Sequence, residues 1–148
     1  MTIAIETQYA TSSDAVPDSK KIKKWAKIAI AEIRDEAILT IRIVDTKESA
    51  RLNRSWRGIN KSTNVLSFPA GDNPVMPELL GDIILCTQVI NKEAVAQGKQ
   101  ADAHWAHMII HGILHLAGYD HEKKRDAKMM ETIEIDKLAS IKFPNHYE

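Results

Sequence analysis

The 148 residues are 44% hydrophobic and carry 20 Lys and Arg against 20 Asp and Glu. That size and apolar content are enough for one domain over residues 1–148 with its own core, and the balanced charge excludes the broad basic field of a general nucleic-acid coat. A single cysteine, Cys86, excludes an internal disulfide framework and suits a reducing cytosol.

The opening MTIAIETQYATSS shows no secretory signal, and no apolar run is long enough to span a bilayer, so a soluble cytoplasmic protein without a membrane partner is expected. Thr2 to Glu6 alternate weakly as a strand, followed by a loop from Thr11 to Ser19. Pro17, Asp18 and Ser19 supply helix-start chemistry, and Ile22, Trp25, Ala26, Ala29 and Ile33 make the apolar stripe of a first helix. Ala37 to Val44, AILTIRIV, is β-branched and partly alternating, which predicts a strand.

The segment ESARLNRSWRGINK predicts a second helix stopping near Gly58, with Leu52 and Trp56 inward and Arg51, Arg54, Arg57 and Lys61 on the opposite face. By spacing alone, a solvated charged face is its default reading. Val65 to Phe68 reads as a short strand ended by Pro69, and Ala70 to Glu78 as a loop able to border a binding site. Asn64 and Ser67 are candidates to line the cleft, with a structural turn as the simpler role. Ile83 to Cys86 is a strand entered through Gly81 and Asp82, and Gln88 to Gln97 is a helix ended near Gly98. A helix from about Asp102 to Ala117 follows. The last helix, Lys123 to Ser140, sets Ala127, Met130, Ile133, Glu134 and Leu138 near one face, with Glu134 a candidate buried acid. The expected fold is α+β, a small mixed sheet with helices packed on it and a zincin-like metal helix.

The chemistry concentrates in HGILHLAGYDH, where His111, His115 and His121 stand at the spacing H-x3-H-x2-G-x2-H. His111 and His115 lie one helical turn apart on one face. Gly118 is placed to end the helix in the left-handed conformation, so that Tyr119 and Asp120 carry His121 back toward the pair. Three imidazoles suit Zn²⁺, one per chain, with a fourth position open for catalysis. His107 and His115 are about 11 Å apart along the helix axis and do not readily share an ion, although His111 pairs with either by spacing. His107 and Asp120 are candidates to orient the ligands or move protons, whereas His104 and His146 take the ordinary structural reading.

The same spacing occurs in metzincin proteases, but Gly112 occupies the position of their general-base glutamate. Glycine there weakens the helix by roughly 1 kcal/mol relative to alanine, which points to a close approach of backbone or substrate. Met129 and Met130 lie inside a helical pattern and read as core rather than as a Met-turn.

Five segments extend the pattern: IRIVDTKES at 41–49, LNRSWRG at 52–58, STNVLSFP at 62–69, LLGDIILC at 79–86 and AHWAHMIIHGILHLAGYDH at 103–121. In these the chain resembles the YbeY family of bacterial single-strand-specific endoribonucleases. It departs at Trp56, where the family usually has tyrosine, at Asn60, where aspartate is common, and at Ser62, where proline is common. The resemblance implies zinc on His111, His115 and His121, a functionally required Arg57, and 3′-end maturation of small-subunit ribosomal RNA with ribosome quality control. It further implies single-stranded and ribosomal RNA as substrates, with small-subunit ribosomal proteins and the GTPase Era as partners. The expected chemistry is attack of a metal-activated water on the phosphodiester while Arg57 holds the phosphate. Two alternatives remain at this point: a metalloprotease or amidohydrolase, and a non-catalytic, metal-stabilised ribosome assembly factor.

Overall fold

The structure is a computed structural model. It describes residues 2–31, 33–71, 73–118 and 124–141, the side chains of 124–127 excepted; Asp120, His121, Lys123 and His146 lie outside the described residues. The elements run β1 (Thr2–Ala10), α1 (Ser19–Ile30), β2 (Glu36–Val44), α2 (Thr46–Arg57), β3 (Val65–Pro69), β4 (Leu79–Cys86), α3 (Thr87–Ala96), α4 (Ala101–Leu116) and α5 (Lys124–Ser140). The strands form one mixed sheet in the order β1-β2-β4-β3, with β1, β2 and β4 parallel and β3 antiparallel to β4. The expected α+β class is the one observed.

Alternation in β2 builds the core. Ala37, Leu39, Ile41 and Ile43 are buried and join Ile83 and Leu85 of β4, the α1 stripe Ile22, Trp25, Ala26 and Ala29, and Ile109, Ile110 and Ile113 of α4. Each such aliphatic side chain contributes about 1.5–3 kcal/mol by leaving water. The intervening β2 residues face the other side, where Arg42 makes a two-pronged contact with Glu48 of α2 at 2.7 and 3.0 Å. Helix α1 starts as anticipated, with the Asp18 carboxylate accepting from Lys21 N at 2.9 Å. Ile33 falls beyond the helix and packs on the core from the following turn.

Two strands are longer than their composition suggests. β1 continues to Ala10 because it pairs with β2 residue for residue along its whole length, and β4 begins at Leu79, ahead of Gly81. The register with β2 slips between Ile38 and Leu39, and Gly81 takes φ +139° with space for no Cβ, which would sit 2.3 Å from the Phe68 carbonyl oxygen. Glycine therefore carries the strand through a bulge rather than opening it.

At the far end of the sheet, Asp45 gathers the chain following β1 and the start of α3. It accepts from the Thr11 hydroxyl, from Gln88 Nε2 at 2.8 Å and from Ser12 N at 2.9 Å. These donors, Thr11 foremost, hold its carboxyl well below the usual carboxylate range. Among the described residues no helix is long and apolar enough to cross a membrane.

Candidate active site

Helix α4 is the axis of the site. From Ala103 to Leu116 every residue is buried except His111 and His115, so a helix that is apolar nearly all round opens to water at those two imidazoles alone. Their rings meet edge to face with centroids 4.6 Å apart, and the two Nε2 atoms face each other at 3.1 Å. Two nitrogens bound to one tetrahedral zinc ion would stand about 3.3 Å apart, so the pair already has the spacing of two ligands. Among the described residues no group of three His, Cys, Asp or Glu side chains is arranged to hold a metal ion, and His121 is not one of those residues. Gly118 does take the positive φ, 101°, expected just after the helix.

Behind the pair sits Glu134 of α5, 1% exposed. Its Oε1 lies 2.5 Å from His111 Nδ1 and its Oε2 3.4 Å from His107 Nε2. An ionised carboxylate only accepts, so opposite Glu134 in that form the matching His111 tautomer has its proton on Nδ1 and its Nε2 lone pair toward His115. That donor set fits a divalent cation. The α5 stripe made this legible: Met130, Glu134 and Leu138 are buried at four-residue spacing, as expected, while Met129 is exposed, not core. Both methionines lie on α5.

Gly112 marks the contact between helix and sheet. A Cβ there would meet Ile83 Cγ2 and Cδ1 at 3.2 Å and Ser67 Oγ at 3.3 Å, and Ser67 Oγ donates to the Gly112 carbonyl at 3.3 Å. The close neighbours are thus β3 and β4 side chains, and a glutamate at this position would be driven into the sheet. Gly112→Ala should stay within about 1 kcal/mol of the parent, because gained helix propensity offsets the tight contact. Gly112→Glu should lose about 3 kcal/mol or more by burying an unpaired charge, lowering the melting midpoint by on the order of 10 °C. A thermal melt that left the glutamate variant as stable as the parent would contradict this packing.

The cleft is bounded by His111 and His115, by the β3 residues Val65 to Pro69, by Thr63 and Asn64, and by Trp56 and Arg57 at the end of α2. Of the cationic stripe only Arg57 lines it; Arg51, Arg54 and Lys61 are exposed elsewhere. Among the described residues no carboxylate forms an ion pair with Arg57. Asn64 is held in place by donating to both oxygens of Glu93 at 3.1 and 3.2 Å, and Glu93 also meets His104 Nε2 at 2.9 Å. Burial pushes the His104 pKa down despite that carboxylate. His104 is therefore structural, as expected, while Asn64 and Ser67 serve the packing and border the cleft as well.

The inward placement of Trp56 does not hold. The buried side of α2 is polar: Ser49 Oγ and Asn53 Nδ2 donate to the carbonyls of Thr63 and Lys61 at 3.1 and 2.9 Å, closing the loop onto the helix. Leu52 is half-buried, and Trp56, one turn beyond Asn53, is 69% exposed and meets Phe68 in an edge-type ring contact.

A cleft lined by two imidazoles and a guanidinium suits a hydrolase, and that is the class of the chain's relatives. The family model described as Endoribonuclease YbeY matches residues 5–142. Over 147 residues the chain is 44% identical to Endoribonuclease YbeY of Pseudomonas syringae pv. syringae, covering 98% of this chain and 88% of that relative. The solution structure of TM1509 from Thermotoga maritima shares the fold at a TM-score of 0.64 and 24% identity, over 91% of this chain and 88% of that one. The chain belongs to the YbeY endoribonuclease family.

Proposed function

We propose that this chain is a single-domain, metal-dependent endoribonuclease that cuts single-stranded RNA and acts in ribosomal RNA maturation. The observation that carries the reading is one cleft holding the facing Nε2 atoms of His111 and His115 together with the guanidinium of Arg57. One zinc ion held by His111, His115 and His121 would supply Lewis-acid polarisation of a phosphoryl oxygen and activation of a water. Arg57 binds the phosphate by paired, charge-assisted hydrogen bonds. Glu134 keeps the His111 proton on Nδ1, and His107 on its other oxygen fixes the carboxylate's orientation. The buried flank of α4 limits water to the cleft side.

The cellular setting belongs to the same reading. It comprises the cytoplasm, where a lone buried Cys86 stays reduced, the 3′ end of small-subunit ribosomal RNA, ribosome quality control, and contacts with small-subunit proteins and the GTPase Era. Asp120, next to His121, is proposed as a ligand-orienting or proton-moving group.

The direct test measures metal content and cleavage on one preparation. Purified protein should carry about one zinc per chain, cut a single-stranded RNA, lose that activity on chelation and regain it with added Zn²⁺, while leaving a matched peptide uncut. Full RNA cleavage after complete metal removal would overturn the metal assignment. Chelator-sensitive peptide cleavage with RNA untouched would overturn the substrate.

A further inference from the structure

We infer that Trp56 is the base-stacking platform of the cleft, receiving the face of an unpaired nucleobase beside the phosphate bound by Arg57. The inference rests on the nuclease reading above. Of the three tryptophans, Trp25 and Trp105 are 4% and 1% exposed, whereas Trp56 is 69% exposed. An indole is among the largest apolar groups in a protein and is ordinarily covered. Here it stands in water at the mouth of the candidate active site.

What touches it supports a platform. Phe68 of β3 meets Trp56 at a centroid distance of 5.5 Å and an interplanar angle of 66°, a contact by ring edge. Such a contact fixes the indole's tilt and leaves it largely uncovered. Both rings line the cleft with His111 and His115, and Trp56 immediately precedes Arg57 in the last turn of α2. A π-face and a phosphate-binding cation on adjacent residues form the pair of contacts by which proteins hold single-stranded nucleic acid: stacking on the base and charge on the backbone. The selectivity follows from geometry. A base inside a duplex has both faces covered by its neighbours, whereas an unpaired base has one to offer, so the platform favours single strands without reading sequence.

The test combines protein variants with abasic substrates. With wild-type holoprotein, one abasic nucleotide is moved along a short single-stranded RNA, and kcat and KM are measured at each position. At one position the missing base should raise KM about tenfold. Trp56→Ala should raise KM on the intact RNA by a similar factor, with kcat little changed, and should be indifferent to the abasic nucleotide at that position. Trp56→Tyr should recover most of the loss and Trp56→Leu little of it. In parallel, RNA should quench the fluorescence of the wild type, whose exposed indole is Trp56, and not that of Trp56→Ala.

If wild type cuts RNA and Trp56→Ala does so with unchanged KM, stacking is overturned and the nuclease reading stands. Equal losses in the leucine and tyrosine variants, or a loss that follows a lowered melting temperature, would assign Trp56 to packing and overturn the inference. Normal RNA kinetics with lost binding of a small-subunit protein would assign the indole to a protein partner. A metal-loaded wild type that neither binds nor cuts RNA removes both readings.

Discussion

His111→Ala is expected to abolish measurable cleavage of single-stranded RNA and to release the metal, whereas Arg57→Ala is expected to lose activity with the metal retained. The two losses have different physical origins. His111 faces His115 nitrogen to nitrogen at 3.1 Å, so truncating it removes half of the described donor pair. Disturbing only the outer partner of a metal-bound histidine typically costs about 10–100-fold in affinity, and deleting the ligand itself should exceed that range. Arg57 touches neither imidazole in the described hydrogen bonds, yet it shares their cleft. Its proposed contribution is stabilisation of charge on the phosphoryl group, for which loss of one well-placed donor group costs about 10²–10³ in rate. Arg57→Lys should recover only part of this, because an ammonium cannot reproduce the planar fork.

Stability separates the two variants further. Arg57 is exposed at a helix end, so its replacement should shift stability by less than about 0.5 kcal/mol. His111→Ala also takes away a contact of the buried Glu134 carboxylate and should destabilise by about 1–3 kcal/mol. His115→Ala is therefore the cleaner ligand deletion, since it leaves the His111–Glu134 contact intact and should lose metal and activity alike. Zinc stoichiometry and initial rates on one RNA distinguish these expectations. Arg57→Ala and His111→Ala both cutting at the parent rate, with zinc verified in the parent, would remove the proposed centre.

How much of this was legible follows from which forces act locally. The α4 histidines could be placed from chain spacing because a helix fixes its own geometry: one turn separates His111 from His115 wherever the helix sits. Glu134 was legible as a buried acid because its stripe, Met130 to Leu138, is also a property of one helix. That its carboxylate reaches His111, twenty-three residues earlier, was not legible, because the meeting of α4 and α5 is set by packing between elements.

The same distinction explains the differences. An amphipathic reading of α2 assumes a partner along the whole helix, but its last turn lies at the cleft, so Trp56 lost the cover its spacing implied. β1 and β4 grew beyond their local signals because neighbouring strands supplied the hydrogen bonds. A close approach at Gly112 was legible, but the expected backbone or substrate is not what comes near: the neighbours are the side chains of Ile83 and Ser67, from strands that only the tertiary fold brings beneath it.

Glu134→Gln is the sharpest variant for the part of the site that lies out of water. The two side chains have nearly the same shape, so the buried space is preserved, and only charge and donor pattern change. A carboxylate accepts from His111 Nδ1 and thereby leaves Nε2 as a lone pair facing His115. A glutamine can present its NH₂ group instead, which would turn Nδ1 into an acceptor and place the proton on Nε2, where it blocks metal binding. Even with the amide oxygen toward His111, the negative charge that raises imidazole basicity is gone. Metal affinity should therefore fall about 10–100-fold, and RNA cleavage should fall with it and recover in part at high added zinc.

The metal-free protein should be affected far less. Glutamine fills the same space, and relief of the desolvation cost of a carboxylate that is 1% exposed offsets the weakened contacts to His111 and His107, so its stability should change little. That contrast separates a ligand-orienting carboxylate from a merely structural one, for which loss of function would track loss of stability. Zinc titration with a competing chelator, run beside thermal melts of the metal-free proteins, gives both numbers. If Glu134→Gln binds zinc as tightly as the parent, the carboxylate does not orient His111.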